Sequence, residues 1–546
     1  MLPISDSEST ASSAFLTFLR HAAAARQNGT AESEARWLDA VAQRHPLDDE
    51  SVDSLITALL EEHRHDDVIE LAAIIAQLDP HRALAHFRFG YALQRANRHS
   101  EAIAPYRRAL VIDPKLPQLR NNLAGALALT GGDLNEQLAL LESAVHDEPR
   151  NGDAWTNLTH ASRVDLNLPR ALESGAKAVQ CAPHSPLAHN NYALALREAQ
   201  RWDEAEHAER TACALAPNDA TMRSNLAMLQ LLRGDYARGW RAHEARWDGS
   251  LELGGNRPAM PAPTWQGEQL AGKTLLVWGE QGMGDVLQFS RYIPLLAERV
   301  HRDGGRLVWN SFPQMGALLA RSLGGQVDHY SAGGGVESLP PFDYEIPLLS
   351  LPLIFDTREE TIPASTPYLR ADAAARASWQ QRLAGETKLK VGLTWTGSAG
   401  HQRNPFRRVG WERYAKHFGG MQGVAFYSLQ PGAGADVAAA ARAAGLPMSD
   451  YTAEFANFDD TAAFVSALDL VITVCTSVAH LSGALGQRTW VLLDVNPHWV
   501  WLLDRPDSPW YPSATLYRQL QFGQWDPALE AVARDLSARA ARPHTV

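Results

Sequence analysis

Small and apolar residues recur at helical spacing through the first 248 residues, and prolines interrupt the pattern at a nearly constant interval. The prolines lie at positions 46, 80, 114, 149, 183 and 217, which are 34 residues apart except for one spacing of 35. A constant period of this length predicts stacked helical hairpins, because proline ends the second helix of each unit. The single extra residue, close to Gly131 and Gly132, predicts a longer turn within one hairpin.

The unit that ends at Pro114 has small residues at Gly90, Ala102 and Ala109, with Tyr106 among them. Small residues let the two helices of a hairpin approach closely, and the tyrosine fills the remaining space. Other units have alanine at such positions, namely Ala124, Ala171, Ala178, Ala193 and Ala205. The pattern resembles the tetratricopeptide repeat, which implies an α-solenoid over residues 1–248 whose concave groove binds an extended polypeptide.

Asparagines recur near the starts of the first helices, at Asn121, Asn157, Asn191 and Asn225. We predict that they bind the backbone of an acceptor protein in the groove, because an amide side chain both donates and accepts hydrogen bonds. They could equally cap helices or bond between repeats. A scaffold or a dimerisation surface is the alternative for the whole array, so a homo-oligomer stays open.

A different composition begins near residue 234. Trp240 and Trp247 make the last unit too aromatic for an ordinary repeat, and we predict that it caps the array against the next domain. Prolines at 258, 261 and 263 then predict a stiff, extended linker over residues 249–264.

From residue 274 the pattern changes to a short apolar run, a glycine turn and then apolar residues at helical spacing. Predicted strands at 306–310 and 342–346 alternate with helices at 286–298 and 315–322. After a helix at 373–383, further strands are predicted at 389–395, 424–429, 470–474 and 489–493. The alternation predicts two Rossmann-like α/β domains, residues 265–372 and 373–546, with ligands bound at the carboxyl ends of the strands.

Two nucleotide-binding motifs are excluded by their context. Residues 267–274 match the P-loop pattern, but they precede a strand, whereas a P-loop follows a strand and opens a helix. The glycines at 279, 282 and 284 do not have the spacing of dinucleotide sites, which argues against a redox cofactor.

Composition narrows the function further. The 546 residues carry a net charge of -12, which argues against nucleic acid as a partner. Three distant cysteines provide neither a disulfide framework nor a metal site. The sequence has no signal peptide pattern and no run long enough to cross a membrane, so we expect a cytoplasmic protein without a transmembrane segment.

Several motifs in the second half carry a more specific resemblance. They are residues 279–285, 392–397, 428–430, 460–462, 468–473, 480–486 and 508–512. Together they resemble glycosyltransferase family nine, the heptosyltransferase family, and above all its bacterial members fused to tetratricopeptide repeats. The resemblance implies the GT-B fold and an inverting, metal-independent transfer from a nucleotide-sugar donor, without a further cofactor.

The resemblance also assigns roles to residues. Asp285 is the expected base on the acceptor hydroxyl, although it could instead cap the helix that follows the glycine turn. The expected donor and phosphate-binding set is Gly282, Gly284, Gln288, Gly397, Arg403, Arg407, Gln430, Cys475, Thr476, Ser477 and His480. Cys475 departs from the family, where related sequences have an aspartate that contacts donor hydroxyls, and this departure predicts a changed donor or a loss of activity.

Three functions follow in order of preference. The first is transfer of a sugar to Ser or Thr of a protein held by the repeats, such as flagellin or another bacterial surface protein. The second is transfer to lipopolysaccharide or another glycan, with the repeats used for assembly. The third is an adaptor whose transferase half binds a nucleotide without turnover.

Overall fold

The computed structural model describes residues 49–250 and 253–541. The helical repeats form pairs joined by short turns: Asp49–Glu61 with His65–Leu78, Ala83–Arg95 with His99–Ile112, Leu119–Leu129 with Leu134–Asp147, Gly152–Val164 with Leu168–Cys181, Pro186–Glu198 with Trp202–Leu215, and Ala220–Leu232 with Tyr236–His243. Prolines 80, 114, 149, 183 and 217 each lie just beyond a second helix, whereas Pro46 falls outside the described residues. The predicted repeat is confirmed.

The packing within a hairpin follows the residue sizes. An added Cβ at Gly90 would lie 2.6 Å from the Tyr106 ring, so only glycine permits this approach. The turn of the Gly131 unit contains residues 130–133, one residue more than the turn at 96–98. The predicted longer turn is therefore confirmed.

Contacts divide the chain into two compact units, residues 1–192 and 193–546. The second unit includes the end of the repeat array, because the terminal helices Tyr236–His243 and Arg246–Gly249 pack into the core of the α/β part through the buried Trp240 and Trp247. The contact boundary therefore lies upstream of residue 248, where the repeat pattern ends.

The first α/β lobe contains four parallel strands in the order β3-β2-β1-β4. The strands are β1 Thr274–Trp278, β2 Arg306–Ser311, β3 His329–Ala332 and β4 Tyr344–Pro347. The helices are Met283–Phe289, Ile293–Arg302, Gly316–Leu323 and Leu351–Ile354. β1 lies in the middle of the sheet, and the glycine turn follows its carboxyl end.

The second lobe contains six parallel strands in the order β10-β9-β8-β5-β6-β7. The strands are β5 Leu389–Thr394, β6 Val424–Ser428, β7 Met448–Asp450, β8 Leu470–Val474, β9 Thr489–Leu493 and β10 Ala514–Arg518. The helices are Ala373–Arg382, Asn404–Arg407, Trp411–Phe418, Gly434–Ala443, Phe458–Val465, Ser477–Ala484 and Asp526–Ala540. The expected fold class, an α-solenoid followed by two Rossmann-like lobes, is confirmed.

The segment that matches the P-loop letters has no phosphate-binding geometry. Thr274 begins β1, and the Lys273 ammonium donates to Asp343 at 2.9 Å. The backbone N–H of Thr274 donates to the same carboxylate. The exclusion of a P-loop is confirmed, because no helix follows this lysine.

Candidate active site between the two lobes

Strand order locates the ligand crevice of the second lobe. β5 is the first strand of that sheet in the sequence, and it pairs with β6 on one side and β8 on the other, so the chain changes direction between β5 and β8. Ligands of such sheets bind at this switch point, outside the carboxyl ends of the strands. The segments that leave these ends contain the predicted residues Gly397, Cys475, Thr476 and Ser477.

The turn after β8 presents a helix terminus at the crevice. The Thr476 hydroxyl accepts a hydrogen bond from the backbone N–H of Val478 at 3.2 Å and lies 3.2 Å from the Thr473 hydroxyl. Thr476 is thus the N-cap of the helix Ser477–Ala484. Such a terminus attracts anions, because its backbone N–H groups and the helix dipole both favour negative charge.

Cys475 forms a neutral part of the crevice. The side chain is buried, and the indole N–H of Trp501 donates to its sulfur at 3.1 Å. Burial raises the pKa of the thiol, Arg407 lowers it and Asp285 raises it further. The thiol is therefore protonated at neutral pH.

His480 is packed rather than solvated. Its Nδ1 lies 2.9 Å from the Tyr511 hydroxyl, and its ring stacks on Trp501 with centroids 5.7 Å apart. Burial, together with the positive charges of Arg291 and Arg407, lowers the pKa of His480 to about 3. The imidazole is therefore neutral at physiological pH, and its assignment to the donor-binding set stays a prediction.

Arg407 places a cation in the crevice. Its guanidinium rests on Gly397, where an added Cβ would lie 2.3 Å from Nη2. In the described part of the chain, its buried Nε has no hydrogen-bond partner and no carboxylate lies within ion-pairing distance. A guanidinium without a carboxylate partner at a switch point is suited to bind phosphate.

The guanidinium of Arg403 is paired with carboxylates, unlike that of Arg407 among the described residues. Its guanidinium donates to Glu198 at 2.7 Å and to Asp494 at 3.0 Å. Two carboxylates already compensate the cation, so the structure supports a packing role for Arg403 in place of the predicted phosphate contact. The partner Glu198 is far away in the sequence, on the helix Pro186–Glu198, and no local pattern could reveal it.

Two amide side chains shape the segment after β5. The Gln430 oxygen accepts from the backbone N–H groups of Trp395 and Thr396 at 3.3 and 3.1 Å. The Asn404 oxygen accepts from the N–H of Gly397 at 3.0 Å. The predicted role of Gln430 toward the donor stays a prediction, and the structure gives it a further role in holding this segment.

The glycine turn of the first lobe carries Asp285. One oxygen of its carboxylate accepts from the backbone N–H of Gly282 at 3.1 Å, at the start of the helix Met283–Phe289. The helix begins at Met283 and not at the expected Val286, so Asp285 is not its N-cap but its third residue, which bonds back to the N–H of the N-cap. The bond fixes the orientation of the carboxylate, and the role as base stays a prediction.

The helix Met283–Phe289 of the first lobe packs against the helix Ser477–Ala484 of the second. At their contact, an added Cβ at Gly284 would lie 3.0 Å from the His480 ring and 3.4 Å from the Cα of Ser477. Gln288 is fully buried on this helix, and neither of its amide atoms has a hydrogen-bond partner among the described residues. The predicted site residues of the two lobes are thus brought together.

Arg291 was not predicted as a site residue. The buried guanidinium donates to the carbonyl of Trp510 at 2.7 Å and to the Tyr368 hydroxyl at 3.1 Å, and it lies over the Tyr511 ring at 4.6 Å. Arg291 therefore connects the first lobe to Trp510 and Tyr511 of the second. Its position directly before Tyr292 in an apolar helical pattern offered no signal for this role.

Within the first compact unit, Asn157 and Asn191 each bond to the preceding repeat. Asn157 donates to the Asn121 oxygen at 2.8 Å, and Asn191 donates to the carbonyl of Thr156 at 3.3 Å. Asn225 belongs to the second unit, where it is half-buried on the helix Ala220–Leu232. Bonding between repeats, one of the alternatives from the sequence, is thus observed, and binding of an acceptor stays a prediction.

Two cavities in the described part of the chain lie away from the predicted site residues. A cavity of about 550 Å³ lies beside Trp202, Arg233 and Arg505, and another of about 470 Å³ lies beside Gln269 and Phe355. Neither is lined by a residue predicted to bind the donor or the acceptor.

In the described ranges, no group of three or more His, Cys, Asp or Glu side chains is arranged to hold a metal ion. Nor does any described helix have the length and apolarity needed to span a membrane.

Comparison with known proteins gives one relative over most of the chain. The chain is 28% identical to Protein FlbA of Caulobacter vibrioides (strain ATCC 19089 / CIP 103742 / CB 15) over 473 residues, which is 82% of this chain and 72% of FlbA. The aligned length exceeds that of either half of the chain, so the similarity extends across the repeats and the α/β part. No protein-family model matches the chain.

Solved structures resemble the two halves separately. TTC0263, a thermophilic TPR protein in Thermus thermophilus, is 23% identical and matches 31% of this chain and 91% of its own length, with a TM-score of 0.28. The glycosyl transferase family 9 structure from Veillonella parvula DSM 2008 is 13% identical and matches 46% of this chain and 88% of its own length, with a TM-score of 0.35.

Proposed function

We propose that the protein is an inverting glycosyltransferase that moves a sugar from a nucleotide-sugar donor to Ser or Thr of a protein bound by its repeats. The observation that carries the proposal is the position of Arg407. It is a guanidinium without a carboxylate partner in the described part of the chain, and it rests on Gly397 at the switch point. This arrangement favours a ligand with a diphosphate.

The donor diphosphate binds between Arg407 and the amino end of the helix Ser477–Ala484. The guanidinium and the helix N–H groups stabilise the negative charge that grows on the diphosphate as the sugar leaves. His480 remains neutral beside them, so it contributes shape and a hydrogen bond rather than charge. Arg403 takes no part in this step, because Glu198 and Asp494 compensate its charge.

Asp285 is the base of the reaction. As the acceptor oxygen forms a bond to C1 of the sugar, the carboxylate takes the hydroxyl proton, and the bond from C1 to the diphosphate oxygen breaks. The hydrogen bond from Gly282 holds the carboxylate in one orientation at the start of its helix. Positioning of this kind lowers the entropic cost of the step.

The acceptor protein binds along the repeats, and flagellin or another surface protein is the class we propose. Asn121 and Asn157 support this, because their hydrogen bond leaves each amide with further donor or acceptor capacity. An extended peptide that bonds to such a row contributes affinity without any particular side-chain sequence.

The acceptor proposal is tested in the full-length protein by the double substitution Asn121→Ala with Asn157→Ala. The substitutions remove both partners of one hydrogen bond, and the other bond lost is a long one of 3.4 Å from Asn121 to the half-buried Asn122, so we expect the fold to be retained. Modification of the protein acceptor should fall about tenfold or more, while hydrolysis of the donor in water should not change. The control is Arg107→Ala, which removes a different contact between repeats, the ion pair with Glu136.

The outcomes separate the alternatives. Unchanged protein modification would reject the asparagine row as the acceptor site, and transfer to a glycan alone would favour a lipopolysaccharide-type enzyme. A non-catalytic adaptor is the second candidate, because Cys475 places a neutral thiol where the resemblance to glycosyltransferase family nine implies a carboxylate. Nucleotide binding without turnover on any acceptor would support that candidate.

A further inference from the structure

The carboxyl ends of β1 and β4 form the switch point of the first lobe. The chain continues from β1 into Gly279 and Glu280, and from β4 into Leu349 and Ser350. The sheet order β3-β2-β1-β4 makes this the ligand crevice of that lobe. A side chain from the end of the repeat array, Arg246, lies in it.

Arg246 forms a bidentate ion pair with Glu280. The distances are 2.9 Å from Nε to Oε2 and 2.6 Å from Nη2 to Oε1, and the two side chains are 2% and 1% exposed. The same guanidinium donates to the Ser350 hydroxyl at 3.0 Å, and Glu280 accepts from the N–H of Leu349 at 3.2 Å. Both segments that leave the sheet at this crevice are therefore tied to one arginine.

Neighbouring aromatic side chains hold the arginine in place. Its guanidinium lies 5.2 Å from the Trp247 ring, which packs against Trp278 at the end of β1 with centroids 5.5 Å apart. On the preceding helix, Trp240 contacts Trp499 of the second lobe at 5.1 Å and donates to the carbonyl of Thr357 at 3.0 Å. The terminal helices of the array thus contact both lobes at their junction.

We propose that Arg246 is a positioning residue for the transfer reaction. Through Glu280 it fixes the backbone of the glycine turn, and this turn carries Asp285 five residues later. The end of the repeat array is therefore a part of the active centre and not only its support. The inference rests on the proposed function in so far as it takes Asp285 as the base.

The ion pair between Arg246 and Glu280 affects the geometry of the glycine turn more than the stability of the fold. A buried ion pair contributes little net stability, because the loss of hydration offsets most of the attraction between the charges. Its bidentate geometry does restrict the direction and distance of both side chains. Since a small misplacement of a reacting group has a large effect on rate, the restriction matters most at the turn that holds Asp285.

The test uses the full-length protein with Arg246→Lys, with Glu280→Gln and with both. Lysine retains the charge but cannot bond bidentately, and glutamine retains the shape and the acceptor for Leu349. The first readout is hydrogen exchange of the peptide that spans residues 279–285. The second is steady-state transfer, with kcat and the donor KM measured separately at a temperature where each variant is folded.

We expect Arg246→Lys to lower kcat about tenfold or more and to leave the donor KM within about twofold, because the donor diphosphate binds to Arg407 and the helix Ser477–Ala484 of the other lobe. Exchange of the turn peptide should become about tenfold faster. Glu280→Gln should have a similar effect, and the double variant should be no worse than either single variant, as expected for two parts of one interaction. Arg299→Lys is the control, because Arg299 is a half-buried arginine of the same lobe that bonds to Gly267 and lies over Trp265.

Unchanged exchange in folded Arg246→Lys and Glu280→Gln would overturn the inference, as would strictly additive effects or an equal effect of Arg299→Lys. If Arg246→Lys does not fold, the exchange and kcat of Glu280→Gln decide the question. If the wild-type protein shows no transfer while exchange still rises in the variants, the proposed function fails and the positioning of the turn stands. If the wild-type protein transfers sugar and the variants change neither readout, the inference alone fails.

Discussion

At the scale of single residues, the crevice is defined by which charges have partners. Arg403 and Arg407 are four positions apart, yet the first bonds to two carboxylates and the second to none in the described part of the chain. The sequence shows that both are cations near a predicted strand end. It cannot show which of them is compensated, because Glu198 and Asp494 reach Arg403 from distant segments.

Asp285→Asn tests the proposed base. We expect transfer to fall about 10²-fold to 10⁴-fold, because the amide cannot take the proton, while nucleotide binding should persist. Asp343→Asn is the control, since Asp343 is a carboxylate of the same lobe that pairs with Lys273 at the opposite end of β1. Transfer rates and calorimetric titration with the nucleotide give both quantities, and near-normal transfer by Asp285→Asn would remove the assignment.

Arg407→Ala tests the phosphate site. The loss of a charge-assisted hydrogen bond should weaken binding of the nucleoside diphosphate about tenfold to hundredfold. Arg408→Ala removes the neighbouring exposed cation and should have little effect. Affinities of both variants measured at equal ionic strength decide the point. Equal weakening in both would mean that only the general positive potential matters.

His480 gives a prediction about pH. Its folded-state pKa of about 3 lies below the ordinary value of 6.5, so the unfolded state binds more protons between these values. Stability is therefore complete above about pH 6.5 and falls as the pH decreases, by about 2 kcal/mol at pH 5 for this group. Urea unfolding at pH 7 and pH 5 should show that His480→Gln removes this part of the loss. An equal loss in the wild type and the variant would contradict the buried, neutral histidine.

At the scale of elements, the 34-residue period of the repeats and the alternation of strands and helices in the second half predicted most of the fold. The strands β8 and β9 have the bounds that the sequence indicates, because both consist mainly of apolar residues and are buried along their whole length. The strands β3, β7 and β10 were missed, since they are short or carry exposed side chains on a face of the sheet. Edge strands of this kind have little hydrophobic signal.

The contact between the helices Met283–Phe289 and Ser477–Ala484 could not be read from either helix alone. It depends on Gly284, which provides the space that His480 occupies. Gly284→Ala should lower the stability by about 1–3 kcal/mol through overcrowding. Gly325→Ala, a glycine of the same lobe with open space around it, should not destabilise. Denaturant midpoints test this, and an unchanged midpoint for Gly284→Ala would show that the helices are less closely packed.

At the scale of the whole molecule, the repeat pattern and the compact units have different boundaries. The pattern ends near residue 248, whereas the second unit begins at residue 193. Trp240 and Arg246 belong to the array by sequence, but both pack against the α/β part. Trp240 contacts Trp499 of the second lobe, and Arg246 bonds to Glu280 in the glycine turn. The similarity to FlbA extends over both halves of the chain.

The most direct measurement is the intact mass of candidate surface proteins, flagellin first, from cells that produce either the wild-type protein or Asp285→Asn. We expect the wild-type protein to add whole sugar masses to Ser or Thr and the variant to add none. Equal masses from both cells, or a change confined to lipopolysaccharide, would contradict it.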